Sequence, residues 1–70
     1  MLDLLNIEIT GYFERGLVQI YDQLGKVVYF GELPEGTVKH QVQGDELTSG
    51  IFIIRLDLDG ETLVQKFIVR

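Results

Sequence analysis

The sequence predicts an all-β protein, folded as a small antiparallel β-sandwich. Its apolar residues are mostly valine, isoleucine, leucine, phenylalanine and tyrosine, and it contains no alanine, so its composition favours strands over helices. Six short runs of strand-forming residues follow one another with turn signals about every 8–12 residues, and no run shows a helical period. This pattern is typical of a small sandwich domain.

The first four strands are predicted from apolar residues that alternate with polar ones, which is the pattern of a half-buried strand. In the second of these runs, Val18 and Ile20 should lie together on one face of the sheet. The fourth run is the most polar, so we expect it at a sheet edge. The four strands are residues 4–10, 17–22, 26–30 and 37–42.

Glycine and the single proline mark the connections between these strands. In the first loop we expect Tyr12 and Phe13 to be anchored at the edge of the core, and in the last loop Leu47 should close one end of the core. The connections are the loop 11–16, the turns 23–25 and 32–36, and the loop 44–50.

The most informative stretch is a C-terminal hairpin, in which residues 51–58 and 61–69 flank Asp59 and Gly60. Asp-Gly is typical of a two-residue type I′ turn, because both central residues need a positive φ angle. Counting outward from the turn predicts a mostly apolar face that should lie on the core. That face consists of the pairs Leu56–Leu63, Ile54–Gln65 and Phe52–Phe67. The opposite face consists of Asp57–Thr62, Arg55–Val64, Ile53–Lys66 and Ile51–Ile68.

Length and charge limit the possible functions. Seventy residues suffice for one domain of marginal stability, and without cysteine no disulfide can reinforce it. A net charge of −5 argues against nucleic acid as a partner, since phosphate binding needs a basic surface. No apolar run is long enough to insert into a membrane. Composition leaves open a cytosolic protein or a fragment of an exported one.

The residues indicate neither an enzyme nor a metal site, and no cofactor is expected. A nucleophile needs an adjacent base, but the only histidine, His40, lies in the polar strand and the only serine, Ser49, lies in a turn. Asp57, Asp59 and Glu61 resemble a calcium loop only superficially, because the hairpin should point the last two apart. We expect these acidic residues to keep the hairpin soluble.

Two surface features remain as candidates for binding. Five aromatic residues could form a stacking platform, although in so short a chain they are needed more often for the core. Ile51, Ile53 and Ile68 should cluster on the non-core face of the hairpin, where a strand or linker outside this sequence covers them or a partner docks. The five aromatic residues are Tyr12, Phe13, Tyr21, Tyr29 and Phe30.

Read in order, these motifs resemble a known family of C-terminal sorting domains. Each motif is weak alone, but their order and spacing from about residue 4 to residue 70 resemble the type IX secretion system C-terminal sorting domains of Bacteroidota. The motifs are L-x-I-x-I at 5–9, V-x-I-Y-D-x-x-G-K-V-V at 18–28, L-P-x-G at 33–36, L-x-S-G-I-F at 47–52, R-L-x-x-D-G-E-T at 55–62 and K-F-I-V-R at 66–70.

The resemblance implies an Ig-like β-sandwich of about six to seven strands that acts as a secretion signal and not as a catalyst. A Sec-exported cargo would cross the periplasm, dock through this domain on outer-membrane translocon or shuttle proteins, and reach the cell surface or the medium. A sortase-like protease would often remove the domain afterwards. The positions that correspond to the family's recognition segment are Gly50, Lys66, Phe67, Ile68, Val69 and Arg70.

The resemblance is incomplete at the N-terminus. Family members usually begin with an extended strand carrying a Pro-Asn-Pro-like motif, and Met1 stands in its place here. We therefore expect residues 1–70 to be a single sorting domain from a longer secreted protein, with the first strand and the cleavage region upstream.

Alternatives remain open for the function and for two of the charged residues. The chain could be an Ig-like or fibronectin-like binding or adhesion module, or it could self-associate weakly through its isoleucine patch. A translocon could recognise Lys66 and Arg70 by their charge, or these residues could act as gatekeepers that keep an edge strand from aggregating.

Overall fold

The computed structural model describes residues 4–44, 47 and 49–69, and its regular structure consists of β-strands. This confirms the all-β class and the number of strands predicted from the motif pattern. The strands are β1 (Leu4–Glu8), β2 (Gly16–Asp22), β3 (Val27–Leu33), β4 (Lys39–Gln43), β5 (Gly50–Leu58) and β6 (Glu61–Val69). The described residues include no helix long and apolar enough to cross a membrane.

The strands form two antiparallel sheets that pack as a small Ig-like sandwich. In the described part of the chain, one sheet consists of β1 and β4, and the other has the strand order β3-β2-β5-β6. Both strands of the smaller sheet are therefore edges, as predicted for the polar fourth strand. In the larger sheet, β3 and β6 lie at the two edges.

The C-terminal hairpin has the register that the Asp-Gly turn predicts. Asp59 and Gly60 have φ angles of 51° and 86°, the positive values that a type I′ turn requires. All seven predicted cross-strand pairs are present, so no slip turns the apolar face outward. On the core face the rings of Phe52 and Phe67 stack, with centroids 5.6 Å apart.

The core lies between the sheets and draws residues from both. Val18 and Ile20 of β2 are completely buried, and Leu47 closes the core with an exposed fraction of 1%. The position of Leu47 confirms the prediction from the sequence, and Val18 and Ile20 lie on one face of the sheet as predicted. The buried apolar residues are Ile7, Ile9, Phe13, Val18, Ile20, Leu33, Val42, Leu47, Phe52 and Val69.

Several local predictions were wrong. Tyr12 is exposed although its neighbour Phe13 is buried, because the loop turns only one of the two rings inward. The third strand continues through Leu33, since Gly16 at the start of β2 pairs with Leu33 and extends the ladder into the predicted turn. Val38 lies outside β4 and is largely exposed, although its carbonyl oxygen accepts a hydrogen bond from Ile9 at 2.8 Å.

A close approach fixes glycine at position 16. A methyl group there would lie 2.7 Å from Cε2 of Phe13 and 3.0 Å from Cβ of Leu33. Both neighbours are buried, so neither side chain is free to move away. Gly16 therefore lets the first loop bring Phe13 against the end of β3.

Candidate functional site

The predicted recognition segment forms the end of β6, an edge strand. All nine residues of β6 pair with β5, and among the described residues no strand lies on its other side. Most of β6 is exposed, and only Phe67 and Val69 near its end are partly or fully buried. The strand is therefore held from one side and open on the other.

The predicted site residues divide between the two faces of the sheet, because successive side chains of a strand alternate. Lys66 and Ile68 are exposed on the outer face. Phe67 stacks on Phe52, and Val69 is 5% exposed, so these two side chains hold the strand to the core. Arg70, also predicted, lies outside the described residues.

Gly50 belongs to the same end of the hairpin. The sequence predicted Gly50 at the end of the loop 44–50. Instead, Gly50 begins β5 and pairs with Val69. Its φ angle of 145° is unfavourable for residues with a side chain, whereas the space around it is open. Glycine is therefore favoured here by the φ angle of the backbone. This backbone conformation brings the start of β5 beside the end of β6.

A groove of about 500 Å³ runs beside β6 on the inner face. The gap exists because β1, at the edge of the smaller sheet, does not cover the last strand of the larger one. Leu63 is consequently 53% exposed although it points to the core side. The apolar residues that line the groove are Leu5, Ile7, Ile54, Leu56, Leu63, Val64 and Phe67.

The outer face of the hairpin carries the predicted isoleucine patch. Ile51 is 37% exposed, its cross-strand partner Ile68 is 59% exposed, and Ile53, two residues further along β5, is half-buried. Ile51 and Ile68 therefore keep exposed apolar side chains on this face. The patch is thus accessible in the part of the chain that the structure describes.

Asp59 has a role that the sequence did not reveal. Its carboxylate accepts hydrogen bonds from the backbone N–H groups of Glu14, at 3.0 Å, and Arg15, at 2.8 Å. In return the N–H of Asp59 donates to the carbonyl oxygen of Arg15. The hydrogen bonds from Arg15 and Glu14 hold the pKa of the Asp59 carboxyl below its usual value. No local pattern signals a contact between positions so far apart in sequence.

The first loop has a second attachment, through Tyr12. Its hydroxyl donates a hydrogen bond to the carboxylate of Glu35, and this bond raises the pKa of Tyr12. The N–H of Gly36 also donates to the carbonyl oxygen of Phe13 at 3.1 Å. The exposed Tyr12 is therefore a tether between loops.

Two further candidates for chemistry, His40 and Asp57, have structural partners. His40 shares a 2.9 Å hydrogen bond between its Nε2 and the hydroxyl of Tyr29 on the facing sheet. Asp57 accepts a hydrogen bond from Thr62 at 2.6 Å and lies 3.3 Å from Nε of Arg55. Within the described residues, no group of three or more acidic or histidine side chains is arranged to hold a metal ion.

The aromatic residues do not form one platform. Phe13 is buried in the core, Tyr21 and Tyr29 are half-buried, and Tyr12 and Phe30 are exposed. Tyr29 reaches the smaller sheet, whereas Tyr21 donates a hydrogen bond to Gln19 of its own strand. Some of these aromatic side chains thus pack in the core or contact the other sheet, and others lie at the surface.

Comparison with known protein families gives a match over the whole chain. A family model described as the secretion system C-terminal sorting domain matches residues 1–70, which is the entire sequence. No curated protein matches the chain.

Proposed function

The chain belongs to the family of type IX secretion system C-terminal sorting domains, and from this membership we propose that it directs a Sec-exported cargo through the outer membrane by protein–protein docking. The family is one of export signals and not of enzymes, and its signals take cargo to the cell surface or the medium. The match over the whole sequence is the observation that carries the proposal.

The end of the hairpin is the part of the chain that we propose the translocon or its shuttle proteins recognise. An edge strand offers free main-chain hydrogen-bonding groups, and extended strands are commonly recognised by edge pairing. The recognition residues are Gly50, Lys66, Phe67, Ile68, Val69 and Arg70. Lys66 and Ile68 make direct contact in this scheme, whereas Gly50, Phe67 and Val69 shape and hold the strand.

The proposed route has three steps. The cargo, with residues 1–70 as a single domain at its C-terminus, is first exported to the periplasm. The domain then docks at the outer-membrane translocon, and a sortase-like protease removes it once the cargo has reached the surface. None of these steps assigns catalysis to this chain, and the side chains of His40, Asp57 and Asp59 take part in structural hydrogen bonds.

A secretion reporter tests this function. Residues 1–70 are fused to the C-terminus of a Sec-exported fluorescent protein in a bacterium with a type IX system. We expect fluorescence at the surface or in the medium, and loss of this delivery when residues 66–70 are deleted. Reporter retained in the periplasm with a folded domain would favour an extracellular binding or adhesion module.

Point variants separate recognition from folding, because the deletion also removes the side chains of Phe67 and Val69. Ile68→Ser changes an exposed side chain and should reduce delivery, whereas Val38→Ser, also at an exposed site, should not. Lys66→Ala distinguishes the two roles of the lysine. Reduced delivery of soluble protein would indicate recognition, and aggregation with normal delivery of the soluble part would indicate a gatekeeper.

A further inference from the structure

The sheet edges differ in how well they are protected. The ladder between β2 and β3 is interrupted by a β-bulge between Ile20 and Tyr21, and irregularities of this kind discourage pairing at an edge. The edges of β1 and β4 are only five residues long. By contrast, β6 is nine residues long, has an unbroken register and contains no proline. It is the best template for another strand among the described edges.

The turn determines which residues of β6 face the open side. In a two-residue hairpin the pair next to the turn, here Leu58 and Glu61, is hydrogen-bonded, and bonded and non-bonded pairs then alternate. Every second residue of β6 therefore directs its N–H and C=O away from β5. These outward-facing residues are Thr62, Val64, Lys66 and Ile68, and their side chains lie on the outer face of the sheet.

The groove lies directly beside this open edge. A strand paired with β6 would send alternate side chains to the inner face, next to Leu63 and Phe67. The volume of about 500 Å³ is within the range of about 300–1,000 Å³ that is usual for ligand clefts. Among the described residues that line the groove, Glu8 is the one that carries a charge. An acidic side chain would find no cation in this lining.

We propose that β6 binds an extended segment of the secretion machinery as an added strand, whose alternate apolar side chains enter the groove between β6 and β1. This inference rests on the proposed sorting function and specifies the chemistry of the partner. The segment has apolar residues at every second position and no acidic residue among them. Its main chain pairs with Val64 and Lys66, at the centre of the open edge.

Proline scanning tests the main-chain pairing in the secretion reporter. Val64→Pro removes an outward N–H and keeps the β5–β6 ladder, whereas Val64→Ala shortens the same side chain and keeps the N–H. We expect Val64→Pro to lower delivery by at least about threefold relative to Val64→Ala, the effect of one lost main-chain hydrogen bond. Thermal unfolding of the purified variants checks that each is folded.

A second variant tests the groove without changing the edge. Leu63→Glu places a charge at the groove wall, and the partial exposure of Leu63 allows the fold to accommodate it. We expect this variant to lower delivery as well. The matched control is Leu24→Glu in the turn between β2 and β3, where the side chain is 89% exposed and delivery should be unchanged.

Other outcomes would overturn the inference. Normal delivery of folded Val64→Pro and Leu63→Glu would exclude edge pairing, and the sorting function would still stand if deletion of residues 66–70 abolished delivery. A sedimenting dimer that Val64→Pro converts to monomer would assign the edge to a second copy of the chain. If Val64→Pro has a lower Tm than Val64→Ala only in the cargo fusion, the edge of β6 would be assigned to an upstream segment of the cargo.

Discussion

At the scale of single residues, Asp59 connects parts of the chain that are 44 positions apart in sequence. Its backbone makes the hairpin turn with a positive φ angle, and its carboxylate accepts the amide hydrogen bonds of Glu14 and Arg15. The sequence predicts the first role because Asp-Gly is a local turn signal. It does not predict the second role, which depends on the packing of a distant loop.

The Asp59 carboxylate should make stability depend on pH. Because its pKa is lower in the folded state than its usual value near 3.9, the stabilisation is complete above that value and is lost as the pH falls through the folded-state pKa. Asparagine tolerates the same turn, so we expect Asp59→Asn to lower the Tm at pH 7 through the loss of the carboxylate. The difference from wild type should shrink below about pH 4.

Thermal unfolding followed by circular dichroism between pH 2 and pH 7 would measure this dependence. Asp57→Asn is the matched control, because Asp57 lies on the same hairpin but bonds only to its neighbours Thr62 and Arg55. An Asp59→Asn protein with the same Tm as wild type at pH 7 would contradict the role of the carboxylate in attaching the loop.

At the scale of elements, the sequence predicts best where one local signal determines the geometry. The Asp59-Gly60 turn determines the full register of β5 and β6, and alternation alone places Val18 and Ile20 on one face, which the structure shows to be buried. The end of β3 was missed because strand length there depends on pairing with Gly16, which no local pattern encodes. The groove beside β6 was missed for the same reason, since it depends on where β1 packs.

One contact between elements joins the two sheets through polar groups. The hydroxyl of Tyr29 on β3 shares a partly buried hydrogen bond with His40 on β4. We expect Tyr29→Phe to lower the free energy of unfolding by about 0.5–1.5 kcal/mol, the usual net value of such a bond. Urea denaturation would measure the change, with Tyr21→Phe as a control because the hydroxyl of Tyr21 bonds within its own strand.

A double-mutant cycle identifies the partner. If the effect arises from this hydrogen bond, Tyr29→Phe should cost little once His40 has been replaced by alanine. An equal cost in both backgrounds would mean that the hydroxyl of Tyr29 stabilises the protein through other contacts.

At the scale of the whole molecule, the two sheets should unfold as one unit. A two-stranded sheet such as β1–β4 is at best marginally stable alone, and its buried residues belong to the same core cluster as those of the larger sheet. A chain of 70 residues without disulfides is expected to have only about 3–5 kcal/mol of stability. The open edge of β6 should therefore depend on the smaller sheet, although no described strand of that sheet pairs with β6.

Val42→Ala tests this coupling, since Val42 is the buried residue of β4. Removing its two methyl groups should cost about 2 kcal/mol, because each buried methylene contributes about 0.8 kcal/mol and a cavity remains. Val38→Ala, at a largely exposed site, should change the stability by less than about 0.5 kcal/mol. Amide hydrogen exchange would report the opening of each strand separately.

If the sandwich is cooperative, Val42→Ala should reduce the protection of amides in β2 and β5 as much as that of amides in β4. Loss of protection confined to β1 and β4 would show that the four-stranded sheet stands alone. In that case a variant that destabilises the smaller sheet could still present β6 to the secretion machinery. Under cooperative unfolding, the same variant should lose delivery at the temperature at which it loses its fold.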